Sequence, residues 1–201
     1  MKKDRMEAFS DGVIAILITI MVLDMKAPRG AELDALVPVL PAFLCYVLSF
    51  VFLGIYWSNH HHLLQAVRQV RGPVLWANLH LLFWLSLTPV VTAWLGANPF
   101  APMPVAVYGV VLLLSAIAYS ILVQVLLAHH PKDSALARAI GDDFKGRISV
   151  AVYVVAIPLA LVRPWLACAL YVAVAIIWLV PDRRIESALV GPGGREPAAG
   201  P

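Results

Sequence analysis

Charge is what this sequence most lacks. No Asp, Glu, Lys or Arg occurs from Ala35 to Val67, and none from Gly72 to Pro131. Charged residues make up 13% of the chain and apolar residues 61%, whereas soluble domains carry about 25% charged residues. A water-soluble chain of 201 residues has too little interior to hide so much apolar surface. The composition therefore excludes a soluble domain and places the chain in a lipid bilayer. Cysteine is nearly missing as well. Cys45 and Cys168 both fall in apolar runs, which excludes a disulfide framework and leaves two small buried side chains. A cleavage pattern of small residues is also lacking. Lys2 and Lys3 precede an apolar run, but that run ends in Asp24-Met25-Lys26, so it is a first membrane helix and not a secretory signal. The net charge of +3 does not indicate nucleic acid, because the cations flank apolar segments and act as topology signals.

What is present reads as an all-α, polytopic membrane protein. Six spans are expected, at 7–25, 37–62, 73–95, 104–128, 148–163 and 165–181. Pro38 and Pro41 open the second, where a first helical turn tolerates proline. Gly72-Pro73, Asn98-Pro99 and Arg163-Pro164 punctuate the chain between spans. Between His129 and Arg147 lies a polar connection, in which Asp133 is placed to cap a short surface helix ended by Gly141. The reading gives one membrane domain, 1–185, and a Gly/Pro-rich tail, 186–201, expected to be disordered. Twelve of the fifteen cations then fall on one side, namely Lys2, Lys3, Arg5, Arg68, Arg71, Lys132, Arg138, Lys145, Arg147, Arg183, Arg184 and Arg195. Lys26, Arg29 and Arg163 fall on the other. The positive-inside rule puts both termini in the cytoplasm.

The first span carries its own anomaly. Asp11 and Asp24 bracket it with only twelve residues between them, about 20 Å along a helix axis against a hydrocarbon core of about 30 Å. At least one carboxylate is therefore expected near the apolar zone, where charge is expensive and marks function or a buried network. Topology gathers further polar residues at that depth: Arg5, Ser10 and Asp11 on the first helix, His60, His61 and His62 ending the second, and Asn78 and His80 entering the third. Polar groups in hydrocarbon must find partners, so a hydrogen-bonded network tying these helices is expected, with His60 and His61 as partners of Asp11. A structural role and a role in gating or ion passage both fit. Adjacent helical residues point about 100° apart, so one metal ion does not take all three histidines. No hydrolase or transferase motif accompanies Ser10. His62, His129 and His130 are read as interfacial, pairing with loop backbone or lipid headgroups.

Placing the first helix at about 100° per residue puts Phe9, Gly12, Ile16, Ile20 and Leu23 on one face with Thr19 beside it. Asp11, Ile18 and Val22 lie on the far side. On periodicity alone the stripe is a packing or lipid-facing surface. Asp24, at the outer end, is either a negative group facing approaching cations or a solvated residue paired with Lys26 or Arg29.

Arg5-x-x-x-Phe9-Ser10-Asp11-Gly12 followed by Ala15-Ile16 and Thr19 resembles the signature of the transmembrane protein 175 family of potassium channels. Trp57-x-x-His60-His61, Asn78-Leu79 and Leu87-Thr88-Pro89 resemble that family's second and third helices. His62 stands where relatives often have a basic residue. The chain holds one Phe-Ser-Asp motif, which is similar to the single-repeat bacterial form. The resemblance implies a homotetramer in a bacterial plasma membrane, with the first helix of each subunit lining a central pore. It also implies a constriction of aliphatic layers at Ile16, Ile20 and Leu23, with the family's threonine at Thr19. The implied permeant ion is potassium, with modest preference over sodium among monovalent cations and no cofactor. No Thr-Val-Gly-Tyr-Gly segment occurs, so a carbonyl filter is excluded. A proton-coupled secondary transporter using Asp11 and the histidines is the alternative. It is expected to show inverted repeats and broken midplane helices, and the sequence shows neither. Catalytic chemistry is not expected.

Overall fold

The structure, a computed structural model, describes residues 3–65, 70–128 and 144–179. Its elements are α1 (Lys3–Leu23), a 3-10 helix (Leu33–Val39), α2 (Leu40–Gln65), α3 (Gly72–Ser86), α4 (Thr88–Ala97), α5 (Pro102–Leu127), α6 (Phe144–Val162) and α7 (Pro164–Leu179). No strand occurs among the described residues. Helix is the local answer the sequence dictates, because backbone polar groups in hydrocarbon must be satisfied within their own segment. Prolines mark the starts: α3, α4 and α5 each carry one in their first turn, where the missing N–H belongs to no hydrogen bond. Between α1 and the 3-10 helix the chain turns at Gly30, with φ 123°, a conformation that suits glycine alone.

Five segments are long and apolar enough to cross a bilayer, and Pro164–Leu179 forms a shorter sixth. The expected spans are thus present, with four corrections. The first begins at Lys3 rather than 7 and ends at Leu23. The second span opens as a 3-10 helix with Pro38 inside it and runs on to Gln65, because Pro38 and Pro41 prevent a regular α start until Leu40. The fifth begins at Phe144 rather than 148. The third, Gly72–Ala97, is interrupted at Leu87. Pro89 has no N–H to give the Leu85 carbonyl, and the Leu87 amide reaches back only three residues, to Trp84, at 3.2 Å. The interruption does not unwind the chain, since Leu87 stays in helical conformation at φ −83° and ψ −13°. The expected surface helix at Asp133, His129 and His130, and the 186–201 tail lie outside the described residues.

Two cores result. One joins α1, α2, α3 and α5 through Met6, Ile14, Leu17, Leu53, Leu81 and Leu122. The other joins α2, α4, α5, α6 and α7 through Phe52, Val91, Leu112, Tyr108, Tyr153 and Tyr171. Small residues let the second group of helices approach closely. Ala156, Ala160 and Ala167 are fully buried, and Tyr171 lies across Gly109, where an added Cβ would fall 2.7 Å from the ring Cζ. The second core leaves α1 outside, packed on one side of the bundle.

Candidate functional site

Helix α1 has two faces with different fates. Met6, Ser10, Ile14, Leu17 and Met21 are buried, at spacings of three and four residues that bring them to one side. The opposite face is left uncovered by the protomer. Phe9 is 54% exposed, Ile16 59%, Ile20 43% and Leu23 80%. Gly12 on that face has no atom within 4 Å of an added Cβ. Thr19 is exposed there too, but its hydroxyl is held by the carbonyls of Ala15 at 3.1 Å and Ile16 at 3.0 Å. It thus satisfies itself within the helix. The stripe drawn from helical spacing is therefore a real surface, apolar and unpartnered among the described residues.

The N-terminal half of α1 is fixed by a directed chain of hydrogen bonds. The Ser10 hydroxyl donates to the Met6 carbonyl at 2.9 Å. Its oxygen is then free to accept the Asn78 amide, also at 2.9 Å. That orients Asn78 with its carbonyl oxygen toward His60, whose Nε2 lies 2.7 Å away. Since the Asn78 oxygen only accepts, Nε2 of His60 carries the proton. Nδ1 is the bare nitrogen, and it is buried with no partner among the described residues. Ser10, His60 and Asn78 are all essentially inaccessible, so α1, α2 and α3 are bolted together at one depth.

A second, more exposed set runs beside it. Trp57 donates from its indole nitrogen to Asp11 Oδ1 at 3.0 Å. His61 Nδ1 lies 2.9 Å from Glu7 Oε1, and its other nitrogen meets Gln65 at 2.8 Å. Trp57 stacks on His61 with ring centroids 6.1 Å apart. The geometry has a simple origin: Glu7 and Asp11 are four apart on α1, Trp57 and His61 four apart on α2, and antiparallel helices match the two pairs in reverse order.

Asp11 thus does not pair with His60 or His61 as expected. His60 is taken by Asn78, His61 by Glu7, and Asp11 by Trp57. Depth brought these residues together, but their angular positions on the helices chose the partners. Arg5 stands outside the network: it is exposed, with no ion pair among the described residues. Asp24 is exposed too and pairs with neither Lys26 nor Arg29. His80 is engaged by Trp84 at 2.9 Å. Glu7 and Gln65 are participants that the sequence reading missed, and the four-residue spacing from Asp11 and His61 was the available signal. Among the described residues no group of three His, Cys, Asp or Glu is arranged for a metal ion.

Comparison with known proteins places these residues in context. The family model described as endosomal/lysosomal potassium channel TMEM175 matches residues 5–89, a range that holds both the stripe and the network. The chain is 53% identical to a potassium channel of Chryseobacterium sp. over 189 residues, covering 94% of this chain and 98% of that one. It is 38% identical over 81 residues to the human endosomal/lysosomal proton channel TMEM175, of which the match covers 16%. Among solved structures it resembles the crystal structure of a lysosomal potassium-selective channel TMEM175 homolog from Chamaesiphon minutus. The TM-score is 0.75 at 30% identity, over 90% of this chain and 97% of that one.

Proposed function

The chain belongs to the TMEM175 family of ion channels, and from that premise we propose that it is the subunit of a homotetrameric, potassium-preferring cation channel with α1 of each subunit lining the central pore. The observation that carries this reading is the uncovered aliphatic face of α1. A helix anchored by polar contacts on one side and bare on the other has its bare side available to the symmetry axis, where four copies close a ring. Ile16, Ile20 and Leu23 then form stacked narrow layers, with Thr19 beside them. Such layers offer ions no oxygen ligands, so they act through width and wetting: a narrow apolar ring excludes water until an ion's hydration shell fits. Potassium, more weakly hydrated than sodium, loses less in passing. Asp24, at the outer end of α1, supplies a ring of negative potential at the mouth. The Ser10–Asn78–His60 chain holds α1 at a fixed depth and rotation, and so keeps the layers in register. Both termini are cytoplasmic, and the membrane is a bacterial plasma membrane.

The proton-coupled transporter has less support. Asp11, His60 and His61 have three separate partners and not one continuous relay. The interruption at Leu87 keeps helical geometry where a transporter's substrate site needs unwound backbone. Purified protein in liposomes separates the two. A channel gives passive, voltage-driven potassium flux that persists with the proton gradient collapsed and exceeds sodium flux. Flux that stops when the proton gradient is removed overturns the channel reading.

A further inference from the structure

Cys45 and Cys168 are the only cysteines in the chain, and the fold brings them together. Both are free, and both are half-buried rather than buried, packed against the second core. Tyr108 of α5 shows how the helices that carry them align. Its hydroxyl lies 2.9 Å from Ser49 Oγ of α2, and its ring centroid lies 5.8 Å from that of Tyr171 of α7. Seven residues further along α2 and seven further along α7, Tyr56 and Trp178 again meet around one small space, with Tyr119 of α5. Helices α2 and α7 therefore run in the same direction and in register, with Ser49 level with Tyr171. Cys45 stands four residues before Ser49, and Cys168 three before Tyr171. Each thus lies one turn back on the face turned toward Tyr108. Their levels differ by one residue, about 1.5 Å of rise. The thiols are also near enough for a charge on Cys168 to be felt at Cys45.

Two thiols at one level on packed helices have a chemistry that neither has alone. A disulfide needs Cα atoms about 4.4–6.8 Å apart, a separation that small residues open to neighbouring helices. Ala167, beside Cys168, is fully buried. Cys168 is four residues into α7 and Cys45 five past Leu40, about 6–8 Å of helix, so a small neutral oxidant reaches both from the end of the bundle. Dithiol and disulfide are both uncharged, so the conversion leaves no charge in hydrocarbon. We propose that Cys45 and Cys168 form an oxidation site at which an organic hydroperoxide closes a reversible disulfide between α2 and α7. One thiol attacks the terminal hydroperoxide oxygen and becomes a sulfenic acid. Its proton leaves with the departing alkoxide as the alcohol. The second thiol then attacks the sulfenic sulfur, forming the S–S bond and releasing water. The hydroperoxide accepts both electrons, and an external dithiol returns them. The bond staples the first half of α2 to the second core, while the second half of the same helix holds α1 through Trp57 and His61.

The test uses the full chain in liposomes and tert-butyl hydroperoxide, with remaining thiols blocked by a maleimide after denaturation and peptides mapped by mass spectrometry. Both thiols should be lost together, the Cys45 and Cys168 peptides should be recovered joined, and dithiothreitol should restore both. When dimedone is present during oxidation, Cys45→Ser and Cys168→Ser should each collect several-fold more sulfenic-acid adduct than the unmodified chain, where the second thiol intercepts it. Thiols that stay reduced, or that are lost independently of one another, overturn the proposal. So do cross-links that form only between chains, and dimedone adducts as abundant in the unmodified chain as in the single variants. Peptide mapping of the unmodified chain decides the matter even where a variant fails to fold.

Discussion

At the scale of single residues, Ile16 and Ile18 are the informative pair. They are two positions apart on α1, yet Ile16 is among its most exposed side chains and Ile18 is half-buried against the first core. If Ile16 forms one of the proposed pore layers, Ile16→Asn should admit water there, raise flux several-fold and move the potassium-to-sodium permeability ratio toward one in liposome measurements. Ile18→Asn puts the same amide into packed hydrocarbon, at a cost of about 1–3 kcal/mol, and should lower thermal stability in detergent while leaving the permeability ratio alone. Asn78 makes a different demand. It is at once the donor to Ser10 and the acceptor from His60, so Asn78→Ala strands a buried hydroxyl oxygen and a buried ring N–H together. Each costs about 1–3 kcal/mol. The expected readout is a marked loss of melting temperature and of assembled protein, with the permeability ratio of the surviving channels unchanged.

At the scale of helices, close approach matters more than hydrophobicity. Gly109 on α5 admits Tyr171 of α7, and an added Cβ would also meet Ile157 of α6 at 3.1 Å. Gly109→Ala should therefore force three helices apart, lowering stability by about 1–3 kcal/mol in a chemical or thermal unfolding assay. Gly54 on α2 has nothing within 4 Å of an added Cβ, so Gly54→Ala should be neutral or slightly stabilising through helix propensity. The contrast shows what a sequence reveals and what it hides. Both glycines sit in apolar runs and look alike in one dimension. Hydropathy and proline placement gave the number and order of the spans, because the bilayer imposes a length on each. They missed the interruption at Leu87, since Val90, Val91 and Trp94 continue the apolar run through it and only Pro89 marks the lost hydrogen bond. The convergence of Ser10, His60 and Asn78 was legible because topology alone fixes depth. The pairings of Asp11 with Trp57 and Glu7 with His61 were not, because they depend on the rotation of one helix against another, which packing decides.

At the scale of the whole molecule, charge placement makes two predictions. Asp24 ends α1 with no ion pair among the described residues, so four copies at the proposed mouth should concentrate cations. Asp24→Asn should reduce inward potassium flux at low ionic strength and have little effect at high salt, where the Debye length shrinks to a few ångströms. The proposed topology, drawn from the twelve-to-three division of cations, has both ends of the chain in the cytoplasm, so a reporter active only in the cytoplasm should work when fused after Pro201, and one active only outside should not. The fixing of α1 carries a mechanical consequence as well. Its inner end is tied by polar contacts through Ser10, Asp11 and Glu7, while beyond Gly12 only Ile14, Leu17 and Met21 are buried. The helix is a cantilever, clamped at its root and carried by greasy bearings along its outer half. From Gly12 to Leu23 the arm is about 17 Å long. A tilt of about 5° at the clamp, small beside the tilts membrane helices ordinarily adopt, displaces the tip by about 1.5 Å and a point at Ile16 by only a third of that. In the proposed four-fold arrangement the Leu23 layer would be the iris, and the Ile16 layer the fixed stop behind it.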